Sequence, residues 1–266
     1  MNILVIGDLF GKPGRRALFE LLPGLIRSES ADFVVVNGEN AAGGKGMTPE
    51  ICHAVWDAGA DVITTGNHIR DKQEINPLLD ESPRILRPLN FPPGAPGRGH
   101  TIVKSRAGID VAVINASGRV YMGEIVDSPF APIMNCVEEV RKTTPVVVVD
   151  FHAEATSEKR AMGWYLNGHV SAVVGTHTHV QTADEEVLSG GTAYITDLGM
   201  TGPHDSVIGL RTDLAMDRFL KGDRSRFDVG KRDVRLCGVV VDIDETNGKA
   251  RAIRRIRIDV PDAPSA

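Results

Sequence analysis

The chain reads as an α/β protein, a sandwich with its helices outside its sheets. Three observations predict this. Short apolar, β-branched runs recur along the sequence without polar alternation, as expected of strands covered on both faces. Stretches with helical periodicity separate several of those runs. The 266 residues, 42% hydrophobic and 24% charged, have an ordinary globular composition and are numerous enough to bury a large core.

The elements follow in order. Ile3–Ile6 is the first strand, and Pro13–Ser28 is a helix with apolar residues at Leu18, Leu21, Leu22 and Leu25. Phe33–Val36 is the second strand. Thr48-Pro49-Glu50 supplies an N-cap, a proline at the first helical position and an early acid, opening a helix to about Asp57. Further strands are predicted at Val62–Thr65, Val111–Ile114, Val146–Val149, Ala172–Val174 and Thr192–Thr196. Further helices are predicted at Ile133–Lys142, Ser157–Leu166 and Arg211–Leu220. The chain closes with a hairpin of Val234–Ile243 and Lys249–Val260, its turn near Thr246-Asn247-Gly248. A proline- and glycine-rich stretch over 83–99 is expected to be a long surface loop. It is not a linker, because motifs on both sides belong to one site.

Composition excludes several classes of function. Thirty Lys and Arg against 35 Asp and Glu give a net charge of −5, a poor basis for wrapping duplex nucleic acid. Cys52, Cys136 and Cys237 are far apart, with no C-x-x-C, so neither a zinc knuckle nor a disulfide framework is indicated. The start, Met1-Asn2-Ile3-Leu4-Val5-Ile6-Gly7-Asp8, lacks a basic segment and meets an acid too early for a signal peptide. No run approaches 18 apolar residues. The expectation is a soluble cytoplasmic protein.

Five segments place polar side chains directly after apolar strands: Gly7-Asp8, Asn37-Gly38-Glu39-Asn40, Gly66-Asn67-His68, Asp150-Phe151-His152 and Gly175-Thr176-His177-Thr178-His179. In open α/β sheets, ligands sit beyond the carboxyl ends of the strands, so the five loops are expected to converge. Carboxylate, carboxamide and imidazole donors without thiolate suit manganese, iron, zinc or cobalt. Two carboxylates, two asparagines and three ligand-type histidines exceed the needs of one four-coordinate zinc. They fit a pair of metals about 3.5–4 Å apart with a bridging carboxylate. Two divalent ions bring about +4 and Asp8 with Glu39 about −2. A bridging hydroxide then leaves roughly +1 for a phosphodiester anion.

Taken singly, each segment has an ordinary structural reading. Asp8 caps a helix, Glu39-Asn40 makes a turn, and His68 or His152 is a hydrogen-bonded structural histidine. His177 and His179 alternate on an extended segment and point to one face. Five such coincidences in one chain are far less probable together than one shared site.

The ordered series of motifs resembles the calcineurin-like metallophosphoesterase superfamily. More narrowly, it is similar to the YmdB-like bacterial phosphodiesterases that act on 2′,3′-cyclic nucleotides. The likeness covers nearly the whole chain, including Asn37–Ala42, Asp150–Lys159, Val173–Asp184 and Ala193–Pro203. It implies a metallophosphoesterase-like sandwich of two mixed β-sheets flanked by helices, in one domain over residues 1–266. It also implies that Asp8, Glu39, Asn40 and His179 bind a first metal. Glu39 bridges to a second, which Asn67, His152 and His177 complete. His68 contacts the phosphate and protonates the leaving oxygen. The superfamily's Asp-x-His motif has Phe10 at its third position here, and Glu39-Asn40 replaces Gly-Asp, with Asn40 filling the gap. Ile69-Arg70 stands where Thr-Trp is expected, and Arg70 is then a candidate phosphate contact.

The function expected is metal-dependent phosphodiester hydrolysis, most simply of a 2′,3′-cyclic nucleotide, by attack of a metal-bridging hydroxide. Iron or manganese are the expected ions, with zinc an alternative. Phosphomonoesterase or protein phosphatase activity would use the same motifs. A metal-binding RNA regulator has only the basic end strand of Arg251, Arg254, Arg255 and Arg257 behind it, and a solvated sheet edge explains that strand as well. The resemblance also implies a homo-oligomer, a dimer or tetramer. His53, His100, His169 and His204 lack motif context, Gly11–Arg16 lacks Walker spacing, and Gly199–Pro203 is expected at the rim of the site.

Overall fold

The computed structural model describes residues 1–123, 126–222 and 228–261. In chain order the elements are β1 (Asn2–Ile6), α1 (Gly11–Ser28), β2 (Ala31–Asn37), α2 (Pro49–Asp57), β3 (Val62–Thr64), α3 (Asn76–Glu81), β4 (His100–Lys104), β5 (Asp110–Ser117), α4 (Phe130–Val140), β6 (Val147–His152), α5 (Thr156–Tyr165), β7 (Ala172–Thr176), β8 (Glu186–Val187), β9 (Ala193–Ile195), β10 (Gly202–Pro203), α6 (Thr212–Lys221), β11 (Val234–Ile243) and β12 (Ala250–Asp259). The first sheet runs β10-β11-β1-β2-β3, with β12 along the other side of β11. The second runs β4-β5-β6-β7-β9-β8. Both are mixed. β1, β2 and β3 are parallel while β11 is antiparallel to β1. β5, β6, β7 and β9 are parallel with antiparallel β4 and β8 at the edges.

Strand periodicity explains the layers. Ile3 and Val5 of β1 point into the space between the sheets, where they meet Phe33, Val35, Val113, Val148, Val174 and Val239. Leu4 and Ile6 point the other way, to Leu18, Leu22 and Leu25 of α1 and Cys52 and Val55 of α2. On the far side of the second sheet, Ile114, Val149 and Phe151 pack on Ile133, Val137 and Val140 of α4. Every central strand thus buries both faces, which is why the sequence shows continuous apolar runs. Each such side chain contributes about 1.5–3 kcal/mol of burial. Thr48 caps α2, accepting from the Ile51 amide at 3.4 Å.

The predicted strands and helices are all present, with ends shifted by a few residues. The exposed edge strand β4, the two-residue β8 and β10, and the short α3 were not anticipated. The stretch over 83–99 is a surface loop only in its second half, where Pro92, Pro93, Gly94, Pro96 and Arg98 are exposed. Ile85, Leu86, Asn90 and Phe91 are buried. The Ile63 amide donates to Arg84 O and Leu86 N to Ile63 O, both at 2.8 Å, and Leu89 N donates to Asn115 O at 2.7 Å. The first half of the stretch is a strap from the edge of β3 to β5, paired to both sheets at Arg84, Leu86 and Leu89.

β12 is an edge strand, as its arginines suggest. Arg251 pairs with Asp242 and Asp244, Arg254 with Glu29, and Arg255 with Glu185, so three of the four arginines are neutralised by neighbours. Among the described residues no helix is long and apolar enough to cross a membrane.

Candidate metal centre

The candidate residues meet at the carboxyl ends of the parallel strands, where the edges of the two sheets adjoin. Asp8 follows β1, Glu39 and Asn40 follow β2, and Asn67 and His68 follow β3. His152 ends β6, and His177 and His179 follow β7. All eight, separated by up to 171 positions, come into one contact network. His152 Nε2 lies 3.0 Å from Asn67 Oδ1, 3.1 Å from His177 Nδ1 and 3.5 Å from Glu39 Oε1. His179 Nε2 lies 3.2 Å from Asn40 Oδ1. The His177 amide donates to Asp8 Oδ2 at 3.1 Å, and the His68 amide donates to Glu39 Oε1 at 2.6 Å. His68 stands outside this knot on a short 3₁₀ turn, its Nδ1 2.9 Å from Asp71 Oδ2.

Proton accounting shows what the pocket lacks. His179 Nδ1 donates to the Ile208 carbonyl at 2.9 Å. Burial pushes the His179 pKa down, so the ring is neutral and Nε2 carries a lone pair. Asn40 donates its amide to Gly44 O at 3.0 Å, so its carbonyl oxygen is the atom facing that lone pair. Two acceptors therefore confront each other at 3.2 Å. His177 Nε2 lies 3.2 Å from the Glu154 carboxylate. Burial, aided by His179, lowers the His177 pKa to about 4, so at neutral pH its one proton sits toward Glu154 and Nδ1 faces inward bare.

Asp8 Oδ1 and Glu39 Oε2 are buried without any hydrogen-bond partner. Burial drives both carboxyls well above their usual range, and the charge of Asp197 adds to the rise at Asp8. Bare acceptors, orphaned carboxylate oxygens and neutral imidazoles share one requirement, a positive charge among them. Among the described residues no group of three or more His, Cys, Asp and Glu side chains is set to hold a metal alone. Two of the seven donors here are asparagines, and the rings of His152 and His177 bond to each other. The chemistry of the complete oxygen and nitrogen set fits a hard or borderline cation.

Several supporting residues escaped the sequence reading. His177 and His179 both have left-handed backbones, with φ of 101° and 66°. Thr178 between them is held by Asp197, whose Oδ2 accepts the Thr178 amide at 3.1 Å, its hydroxyl at 2.8 Å and Lys159 Nζ at 2.6 Å. Lys159 on α5 and Asp197 after β9 are both buried. Gly66 is required because a Cβ there would lie 2.2 Å from the His152 ring. Phe10 stands edge-on to His179 with ring centres 5.3 Å apart, so it packs against the histidine. Arg70 stacks over Phe91 at 4.2 Å. Met200 and Thr201 are buried, not at the rim. Thr201 N donates to Asp8 O at 2.8 Å and Met200 N to His179 O at 3.2 Å, so this segment clasps two of the candidate loops from beneath. The signal for these residues was faint: a lone Asp after a strand, and a Lys in a helix.

Two mixed sheets flanked by helices are an architecture this chain shares with solved structures. The chain belongs to the YmdB-like proteins, whose family pattern matches residues 4–256. It is 49% identical over 259 residues, 97% of each chain, to the 2′,3′-cyclic-nucleotide 2′-phosphodiesterase of Bacillus subtilis (strain 168). A hypothetical protein from Thermus thermophilus superposes with a TM-score of 0.91 at 39% identity, covering 98% of this chain and 100% of that one. A crystal structure described as a novel phosphatase from Mycoplasma pneumoniae superposes with a TM-score of 0.90 at 32% identity, covering 97% and 93%.

Proposed function

We propose that this protein is a metal-dependent phosphodiesterase that hydrolyses 2′,3′-cyclic nucleotides. The observation that carries the reading is the pair of orphaned, buried oxygens, Asp8 Oδ1 and Glu39 Oε2, set among inward-facing bare nitrogen and carbonyl acceptors. The activity in the name of the Bacillus subtilis relative supports the choice of substrate.

Asp8, Glu39, Asn40 and His179 would hold one cation. Asn67, His152 and His177 would hold a second, with Glu39 between them. Iron or manganese suit these donors, and zinc is the alternative. Bound there, such ions neutralise the phosphate's charge and acidify water to serve as nucleophile near neutral pH. The protein's own work is orientation and proton transfer. Ile208 O and Glu154 fix the rings of His179 and His177. Asp71 holds His68 through Nδ1 and orients the ring, so Nε2–H is the proton delivered to the departing ribose oxygen. The product is a 2′- or 3′-monophosphate. The protein acts in the cytoplasm, where its three free, buried thiols stay reduced, and it works as a homo-oligomer.

The test is a panel of 2′,3′-cyclic nucleotides, linear diesters, phosphomonoesters and phosphopeptides, assayed on protein of measured metal content. Preferential turnover of the cyclic nucleotides, abolished by chelation, is expected. Preferential turnover of monoesters or phosphopeptides would replace this reading with a phosphatase.

A further inference from the structure

The tautomer of His152 is set from a distance. Asp150 and His152 lie two residues apart on β6 and so share a face. Thr176 of β7 is the cross-strand partner of His152. Asn37 at the end of β2 and Thr64 of β3 reach the same point from the other sheet. Asp150 Oδ2 accepts the Thr64 hydroxyl at 2.5 Å and the Asn37 amide at 2.9 Å. Asp150 Oδ1 accepts the Thr176 hydroxyl at 2.8 Å. A threonine has one hydroxyl proton, and that bond uses it. Thr176 Oγ1 is therefore an acceptor toward everything else, namely Asn37 Nδ2 at 3.3 Å and His152 Nδ1 at 3.0 Å.

We infer that Asp150 is a positioning residue that, through the Thr176 hydroxyl, places the proton of His152 on Nδ1 and leaves Nε2 bare toward Asn67, His177 and Glu39. With the opposite tautomer, Nε2–H would point at Asn67 Oδ1 and His177 Nδ1 and leave His152 no lone pair to offer a cation. Asp150 thereby decides whether His152 is a ligand or a donor. The proton's position follows from the hydrogen bonds that an ionised Asp150 accepts, while its use for a cation rests on the function proposed above.

Asp150→Asn discriminates well because it is isosteric. Its carbonyl oxygen stays with the two donors Thr64 and Asn37, and its new NH2 faces Thr176. The Thr176 hydroxyl must then turn and donate to His152 Nδ1. Nitrogen-15 histidine NMR on metal-free wild type is expected to show His152 protonated at Nδ1, and on Asp150→Asn at Nε2. Metal affinity of the variant should fall about 10–100-fold. Wild type protonated at Nε2, or a variant with unchanged tautomer and affinity, overturns the inference. Thr176→Ser and Thr176→Val supply the test should Asp150→Asn fold poorly. Serine should keep the tautomer and the affinity and valine lose both, and equal behaviour overturns the inference. A wild type with the Nδ1 proton that takes up no metal upholds the inference and refutes the metal reading instead.

Discussion

Lys159→Met tests how the two left-handed histidines are held. A left-handed backbone at a residue other than glycine costs roughly 1–3 kcal/mol, and His177 and His179 each carry one, with φ of 101° and 66°. Thr178 between them is pinned by two hydrogen bonds to Asp197, and Asp197 is countered by Lys159 Nζ at 2.6 Å. Both charges are buried, Lys159 at 1% exposure and Asp197 at 0%. Methionine keeps the length of the lysine stem and removes the charge, so the loss is electrostatic rather than a cavity. Removing one partner of a buried pair costs about 3–5 kcal/mol. At about 2–4 °C per kcal/mol for a domain of this size, the melting temperature should fall by roughly 6–20 °C. The assay is guanidinium and thermal unfolding of chelated protein, with hydrogen exchange at the Thr178 amide. That amide should exchange faster in the variant than amides of β1 or β2. A variant within about 0.5 kcal/mol of wild type, with Thr178 still protected, would refute the idea that this pair holds the loop.

Four further outcomes are expected. Gly66→Ala places a methyl carbon 2.2 Å from the His152 ring, so the ring must move. Elemental analysis should find metal lost while circular dichroism stays native. His68→Ala should keep its metal and lose about 10²–10⁴-fold in kcat, and full activity would remove His68 from the mechanism. Glu39→Gln removes one of the two carboxylate charges proposed to hold the cations and should lose metal, so a variant retaining two equivalents contradicts the proposed bridging role. Burial opposes the charge of Asp184, but hydrogen bonds from Thr182 and Thr196 outweigh it and hold its carboxyl below the usual range. A depressed carboxyl stabilises the fold above its unfolded pKa, and the gain is lost as pH falls through the folded value. Thr196→Val should therefore destabilise at pH 7, and its difference from wild type should begin to shrink only below about pH 4, as pH falls towards the lower folded value of Asp184.

What was legible in the sequence follows from local physics. The central strands lie between two apolar layers, so Ile3–Ile6 and Val146–Val149 could be read from composition alone. The capped start of α2 was written in Thr48 and Pro49. Edge elements were not: β4 is half exposed and β8 spans two residues, too little for any period to register. The strap in the first half of 83–99 misled because proline and glycine signal turns, whereas its burial comes from Ile85, Leu86 and Phe91 meeting sheets that are distant in sequence. The candidate donors were visible because each directly follows an apolar strand. Their supports were not. Asp150, Thr176, Lys159 and Asp197 act through bonds between β6, β7, α5 and the end of β9, and no local pattern encodes those meetings.

The central claim is most directly tested by counting metal in the pure protein. Elemental analysis of the intact chain, purified without chelator, should find about two equivalents of iron or manganese per chain, falling below one in the Asp8→Ala variant. Wild-type protein that stays metal-free even after incubation with excess iron, manganese or zinc would contradict it.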